Sequence, residues 1–291
     1  MTVDRTRGYR AFQAVNAVVL TGVIVVTLYP FVNIVARSFS EEAYIRSGQV
    51  NLVPRGFNLT TYGIVTTDPL FWRNYLNTVV YTVVGTLIAL SITTCYAYVL
   101  SKKHLKGRAL LVGIAVFTLF FSGGLIPQYV LVTSLGLKNS VWAIVLPNAI
   151  SVFNLLVMKA FFEGLPVELE EAAAMDGLST YGTLLRIVLP LSKAVIATMT
   201  LFYAVSFWNS WFSAFLYLDR PELFPVTVYL RNLIAGATGA EMAGGAGLDA
   251  VQAAANIQSV TMVLTVVPIL LVYPFVQRYF VSGVMLGAVK G

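Results

Sequence analysis

Glu171-Ala172-Ala173, Gly177 four residues after the second alanine, then nine residues and Ile187-x-Leu189-Pro190, form a polar interruption in an oily chain. The chemistry these types offer is contact rather than bond-making. Carboxylates suit a basic partner, small alanines leave room for a close-fitting groove, and a glycine permits a sharp turn. The segment reads as two short helices joined at that glycine. Pro166 suits a first helical turn, where its missing N–H costs nothing. Glu168, Glu170 and Glu171 load the same turn with negative charge, which favours the positive end of the helix dipole. Gly177 stands where a left-handed residue closes a helix. Ser179 is placed to cap the next helix, and Pro190 marks the exit. Leu169, Ala172, Ala173 and Asp176 have the spacing of one helix face.

A helix of about 11 residues is marginal in water by itself and needs something to pack on. A helix lying on a lipid surface favours Lys and Arg on its polar face. This one is acidic, and the inner leaflet is negative. A protein partner carrying basic residues is the better expectation.

The elements that must position this segment are membrane helices. Of 291 residues, 58% are hydrophobic and 11% charged, against about 25% charged in soluble domains. Lipid must take part of that surface. A hydrocarbon core about 30 Å thick needs about 20 apolar residues of helix. Six stretches qualify: 11–39, 74–100, 109–133, 140–162, 193–218 and 258–280. The first is too long for a signal-peptide core and reads as an uncleaved span. The expected organisation is an N-terminus (1–10), a six-helix domain (11–280) with a connecting loop (163–192), and a tail (281–291). Six spans put both termini on one side. Loops on that side carry 12 Lys and Arg, including Lys102, Lys103, Lys106 and Arg108, against 7 on the other. The richer set faces the cytoplasm, so the termini and the acidic segment are expected inside. Scattered basic residues at span ends, under a net charge of +6, argue against nucleic acid as a partner.

Other chemistries find little support. The one cysteine, Cys95, reads as a small core residue, and the one histidine, His104, as a solvated loop residue. Apart from each other they make no metal site. No paired carboxylates or Ser/His arrangement lies in the spans, which counts against a membrane enzyme. The span centres lack Asp, Glu, Lys and Arg, where a charge costs roughly 2.5–3.5 kcal/mol on insertion scales. That counts against a proton- or sodium-driven secondary transporter. The Gly-rich stretch 236–247 reads as a linker, or as a mobile outer loop touching a delivering protein. Asn58-Leu59-Thr60 reads as a chance glycosylation triplet.

The acidic segment and its spacing resemble the coupling loop of the membrane subunit of binding-protein-dependent ABC importers. Three further stretches are similar to the carbohydrate-uptake branch of type I permeases, in particular the family of the second maltose permease. They are Phe207-Trp208-Asn209-Ser210-Trp211, the segment Leu223–Leu233 with its Leu-Phe-Pro-Val start, and the ending Gly283–Gly291. Phe121–Val132 resembles a subgroup importing alginate or pectin oligosaccharides. The resemblance implies an all-α integral membrane fold of six transmembrane helices with a cytoplasmic coupling helix. It implies a bacterial inner-membrane location.

It also implies partners: a homologous second permease, two ATPase subunits and a solute-binding protein, with lipid around them. Glu171, Ala172, Ala173, Asp176, Gly177, Ile187, Leu189 and Pro190 would form the ATPase coupling site. Gly287, Lys290 and Gly291 in the tail would reach the ATPase dimer. The chain has no G-x-x-x-x-G-K-[ST] phosphate loop. It is thus expected to be a non-catalytic subunit without cofactor or metal, ATP and Mg sitting on the ATPases. Tyr129, Asn154, Phe207, Trp208, Asn209 and Trp211 are candidates for the sugar pathway. Each has a plainer role, as an interfacial anchor or as a hydrogen-bonding residue between helices. A permease for peptides or phosphate is the alternative, which the tail and the Trp-Asn segment disfavour.

Overall fold

A computed structural model describes residues 7–242, 256–271 and 274. Regular structure among them is helical, with one isolated bridge between Ser40 and Phe57. In chain order the helices are α1 (Arg7–Ser38), α2 (Glu42–Arg46), α3 (Thr60–Thr67), α4 (Pro69–Ser101), α5 (Arg108–Phe120), α6 (Leu125–Ser134), α7 (Val141–Val145) and α8 (Val152–Glu163). Then come α9 (Glu168–Met175), α10 (Thr180–Thr183), a wide π-turn (Leu184–Val188), α11 (Leu189–Leu191), α12 (Lys193–Trp208), α13 (Trp211–Tyr217), α14 (Val226–Met242) and α15 (Asn256–Leu271). Each of the six apolar stretches carries helix. The last is described through Leu271 and at Pro274, and the tail residues Gly287, Lys290 and Gly291 lie outside the described residues.

Among the described residues, α1 and α4 are the helices long and apolar enough to cross a bilayer alone. Two other stretches are bent and a third is interrupted, each at residues that disfavour a continuous helix. α5 and α6 meet at 113° across Phe121-Ser122-Gly123-Gly124, where Gly124 has φ +87°. α7 and α8 meet at 52° after Pro147, and Ser151 caps the restart by accepting from Asn154 N at 3.4 Å. The 193–218 stretch breaks at Asn209-Ser210. There the Asn209 side chain donates to Val205 O at 2.9 Å and Ser210 Oγ donates to Phe207 O at 2.6 Å, competing with the helix ladder.

The chain forms two compact units. In one, Met1–Asp68 with Leu230–Val267, the connection after α1 folds back on the end of that helix. Ser40 Oγ donates to Ala36 O at 2.6 Å, and Asn33 Nδ2 donates to Asn51 O at 2.8 Å. Asn58 serves this fold: its Oδ1 accepts from Thr60 N at 2.7 Å. The first part of the Gly-rich stretch, through Met242, is helical as the end of α14 rather than a linker.

The other unit, which contains Pro69–Tyr229, is built on α4. Small residues let α12 approach it closely: a Cβ on Gly85 would lie 2.7 Å from the Phe207 ring. Close approach of small-residue faces drives helix association in lipid, where hydrophobic burial gives no net force. Polar side chains inside this contact find each other. Thr93 Oγ1 and Tyr203 OH lie 2.6 Å apart, and Tyr203 OH accepts from Ser151 N at 3.0 Å. Cys95 is exposed on α4 rather than buried. His104 is exposed, as expected.

Candidate functional site: the acidic loop between α8 and α9–α11

α8 ends at Glu163, and Gly164–Val167 turn the chain into α9. Pro166 stands just ahead of the helix, its carbonyl accepting from Leu169 N at 3.3 Å. Glu168, Glu170 and Glu171 occupy the first turn. At the far end Gly177 has φ +74°. Gly177 N donates to Ala174 O at 3.0 Å and Leu178 N to Ala173 O at 2.9 Å, the full pair of bonds of a left-handed helix closure. No neighbouring atom crowds Gly177; its backbone angle, not space, demands glycine there. Ser179 Oγ then accepts from Gly182 N at 3.2 Å and caps α10. Pro190 has no N–H to give and would clash with the carbonyl four residues back. The π-turn Leu184–Val188 precedes it and loosens the ladder where the proline disrupts it. The chain then turns by 86° at Ser192 into α12.

α9 has two distinct sides. Ala173 is 2% exposed, packed on its own chain. Glu171, Ala172 and Asp176 are exposed, and Met175 is 88% exposed. The four-residue face expected from spacing is therefore split: Ala173 turns inward while Leu169, Ala172 and Asp176 stay accessible. The helix is shorter than expected, eight residues, and its register against the core sets the split. Leu189 and Ile187 are half-buried, and Leu189 packs against the same cluster as Leu155, Met158, Phe162 and Val188. Pro190 is exposed. Tyr181, which spacing did not single out, is 77% exposed beside the α9 end of the loop.

Spacing also missed a set of charged contacts. Lys102 pairs with Glu170, and Arg108 pairs with Glu163. Glu163 also holds Lys159 at 2.9 Å. The available signal was opposite charge on two loops already assigned to the same side. These pairs put the α4–α5 and α8–α9 turns at one end of this unit, in keeping with the span count.

The aromatic and amide candidates fall into separate groups. Tyr129 is half-buried and stacks on Tyr217, centroids 6.1 Å apart and planes 10° off parallel. Phe207 is buried against Gly85. Trp208 meets Tyr75 edge to face at 6.1 Å, and its indole N–H has no acceptor among the described residues. Asn154 is buried at the start of α8. Asn209 and Trp211 are exposed at the break after α12. No group of three or more potential metal ligands occurs among the described residues.

No family model matches the sequence. Individual proteins do. Protein LplC of Bacillus subtilis (strain 168) is 42% identical over 290 residues, covering 100% of this chain and 98% of that one. The polygalacturonan/rhamnogalacturonan transport system permease protein YtcP of the same organism is 39% identical over 271 residues, 91% of this chain and 93% of that one. Among solved structures, a chain of a bacterial ABC transporter involved in the import of the acidic polysaccharide alginate superimposes with a TM-score of 0.87. It is 36% identical, and the match spans 96% of this chain and 100% of that one. With 42% identity to one relative over 290 residues, the same helical fold as the solved structure and the loop described above, the chain belongs to the carbohydrate permeases of ABC importers, as a non-catalytic membrane subunit.

Proposed function

We propose that the chain forms half of an ATP-driven pathway for an acidic oligosaccharide, with α9 as the joint to an ATPase subunit. The observation that carries the coupling role is the split character of α9: Ala173 anchors it to the chain while Glu171, Ala172 and Met175 point away from it. An exposed face mixing a carboxylate, a small residue and a large apolar one is suited to a protein groove. Asp176, Gly177, Ile187, Leu189 and Pro190 shape that joint, the last three through the bend behind it. In this reading a homologous permease completes the pathway, two ATPases bind ATP and Mg, and a solute-binding protein delivers the sugar. Both termini lie in the bacterial cytoplasm, and the tail residues Gly287, Lys290 and Gly291 reach the ATPases. Closure of the ATPases moves α9, and the contact among α8, α12 and α4 passes that motion to the spans. Uronic-acid oligomers are favoured because the YtcP relative is named for polygalacturonan and the structural neighbour for alginate. Of the pathway candidates, Asn209 and Trp211 are exposed; Phe207, Trp208 and Asn154 are buried and would serve by shaping the route.

The test is co-purification from detergent, followed by uptake in proteoliposomes with the binding protein present. The expected result is a four-subunit complex that accumulates trigalacturonate at the expense of ATP. A chain that purifies without any ATPase overturns the reading.

A further inference from the structure

Glu170 neighbours the Glu171-Ala172-Ala173 run but turns the other way. It lies on the Ala173 side of α9, three residues from it, and its side chain is 28% exposed. Its partner Lys102 is 16% exposed and sits 3.9 Å from the Tyr98 ring centroid. A second pair joins the same two turns. Arg108 meets Glu163, donates from Nε to Leu100 O at 2.8 Å, and so ties its own helix to the end of α4. Glu163 is further fixed by Lys159 at 2.9 Å. Lys102 and Arg108 bracket the α4–α5 turn, and Glu163 and Glu170 bracket the α8–α9 turn.

We propose that Lys102–Glu170 and Arg108–Glu163 form a two-point latch that holds α9 at a fixed angle to the membrane helices. The proposal rests on the coupling reading above and adds what makes the joint stiff. α9 has eight residues and joins α8 through a short turn at Gly164. Ala173 seats one side of α9; Glu170 ties that side to the α4–α5 turn, and Glu163 ties the end of α8 from which α9 departs to the same turn, so the angle between the two helices is fixed. Half-burial and the aromatic face under Lys102 make these contacts better placed than pairs in open water, which contribute little. Glu170 is thus a positioning residue of this chain, whereas Glu171 faces outward to the partner. Loosening the latch lets ATPase closure dissipate in pivoting: hydrolysis continues while less sugar moves per ATP.

The experiment uses the complete complex in proteoliposomes with its binding protein, measuring trigalacturonate and, in parallel, maltotriose uptake together with ATP hydrolysed. E170Q and K102A should each raise the ATP spent per sugar by roughly fivefold or more, the scale of an ordinary coupling free energy, with ATPase subunits still bound. The charge exchange K102E/E170K should recover most of the loss. An unchanged ratio in E170Q overturns the latch. Loss of bound ATPase in E170Q places Glu170 in the partner contact and overturns it as well. Should K102A fail to reach the membrane, E170Q and the exchange decide alone, and no recovery in the exchange overturns the proposal. A wild-type complex that takes up neither sugar breaks the function reading itself, a result distinct from a coupled wild type with indifferent variants.

Discussion

At the α9 end of the α4 unit the fastenings are charged: Lys102 to Glu170, and Arg108 and Lys159 to Glu163. At the other end of α4 neutral groups hold the connection before α14. Asn77 Nδ2 donates to Glu222 O at 2.7 Å and to Phe224 O at 3.1 Å. Tyr81 OH donates to Leu223 O at 2.7 Å, and Thr78 Oγ1 accepts from Val226 N at 2.8 Å. With its amide turned to satisfy both ends, Asn74 donates to Pro221 O at 2.9 Å and Phe224 O at 3.1 Å. Burial explains the difference. Asn74 and Thr78 are 1% and 0% exposed, where an ion would lose more hydration than its partner restores. The charged residues at the α9 end keep between 14% and 30% of their side-chain surface open, so water still offsets that loss. Neutral groups make the buried Asn74 and Thr78 contacts, the Asn77 bond to Glu222 O lies at their exposed edge, and ions meet where it is damp.

The sharpest way to break this contrast lies at the acidic loop. Glu171→Lys and Gly177→Trp are each expected to abolish sugar-stimulated ATP hydrolysis in the assembled complex, with membrane insertion intact. Gly177→Asn should keep a measurable fraction, because Asn tolerates the left-handed region. Normal stimulation in both harsh variants would remove the mechanical role of that end. Next in size is the α4–α12 contact between the two ends. Gly85→Val drives a side chain into the Phe207 ring and should lower stability by about 1–3 kcal/mol, read as a fall in the thermal midpoint in detergent. A neutral result would mean that α12 stands further off.

Smaller effects sharpen the neutral clamp. Asn77→Ala removes two bonds and Tyr81→Phe one, at about 0.5–1.5 kcal/mol each. Protease protection of the Pro221–Val226 segment should fall in both and further in Asn77→Ala. Equal protection in both would show that the backbone holds itself. The smallest effect belongs to Lys138 and Asp219, paired at 3.0 Å at the clamp's own end of the unit. Hydrogen bonds from Lys138 and Asn139 hold the Asp219 carboxyl below its ordinary range, and the same Asp219 bond raises Lys138. The depressed acid contributes stability above its usual value of 3.8, lost as pH falls through the lowered one. The raised lysine contributes below 10.5, lost as pH rises through its higher value. Amide exchange at Asp219, whose N–H donates to Asn139 Oδ1 at 2.7 Å, should therefore show no change in protection between about pH 5 and pH 9. A transition inside that window would assign the contact to other groups.

Much of α9 was legible because its signals are local. Glu168 at the first turn, Gly177 at the left-handed closure and Ser179 at the next cap each act within one turn of chain, and spacing alone encodes that. The apolar stretches were legible because lipid imposes a length on any span. Bends at Gly124 and Asn209 were present as residue types, but whether a glycine or an asparagine breaks a helix depends on what the neighbouring helices supply. By itself the sequence determined an all-helical membrane chain with an acidic, turn-bounded helix between its fourth and fifth apolar stretches. Only the tertiary structure decided that Ala173 faces inward, that Glu170 pairs with Lys102 rather than pointing outward with Glu171, and that Cys95 lies outside the core. Those depend on the rotation of each helix against residues far away in the chain, which a local pattern with several equally apolar faces leaves undetermined.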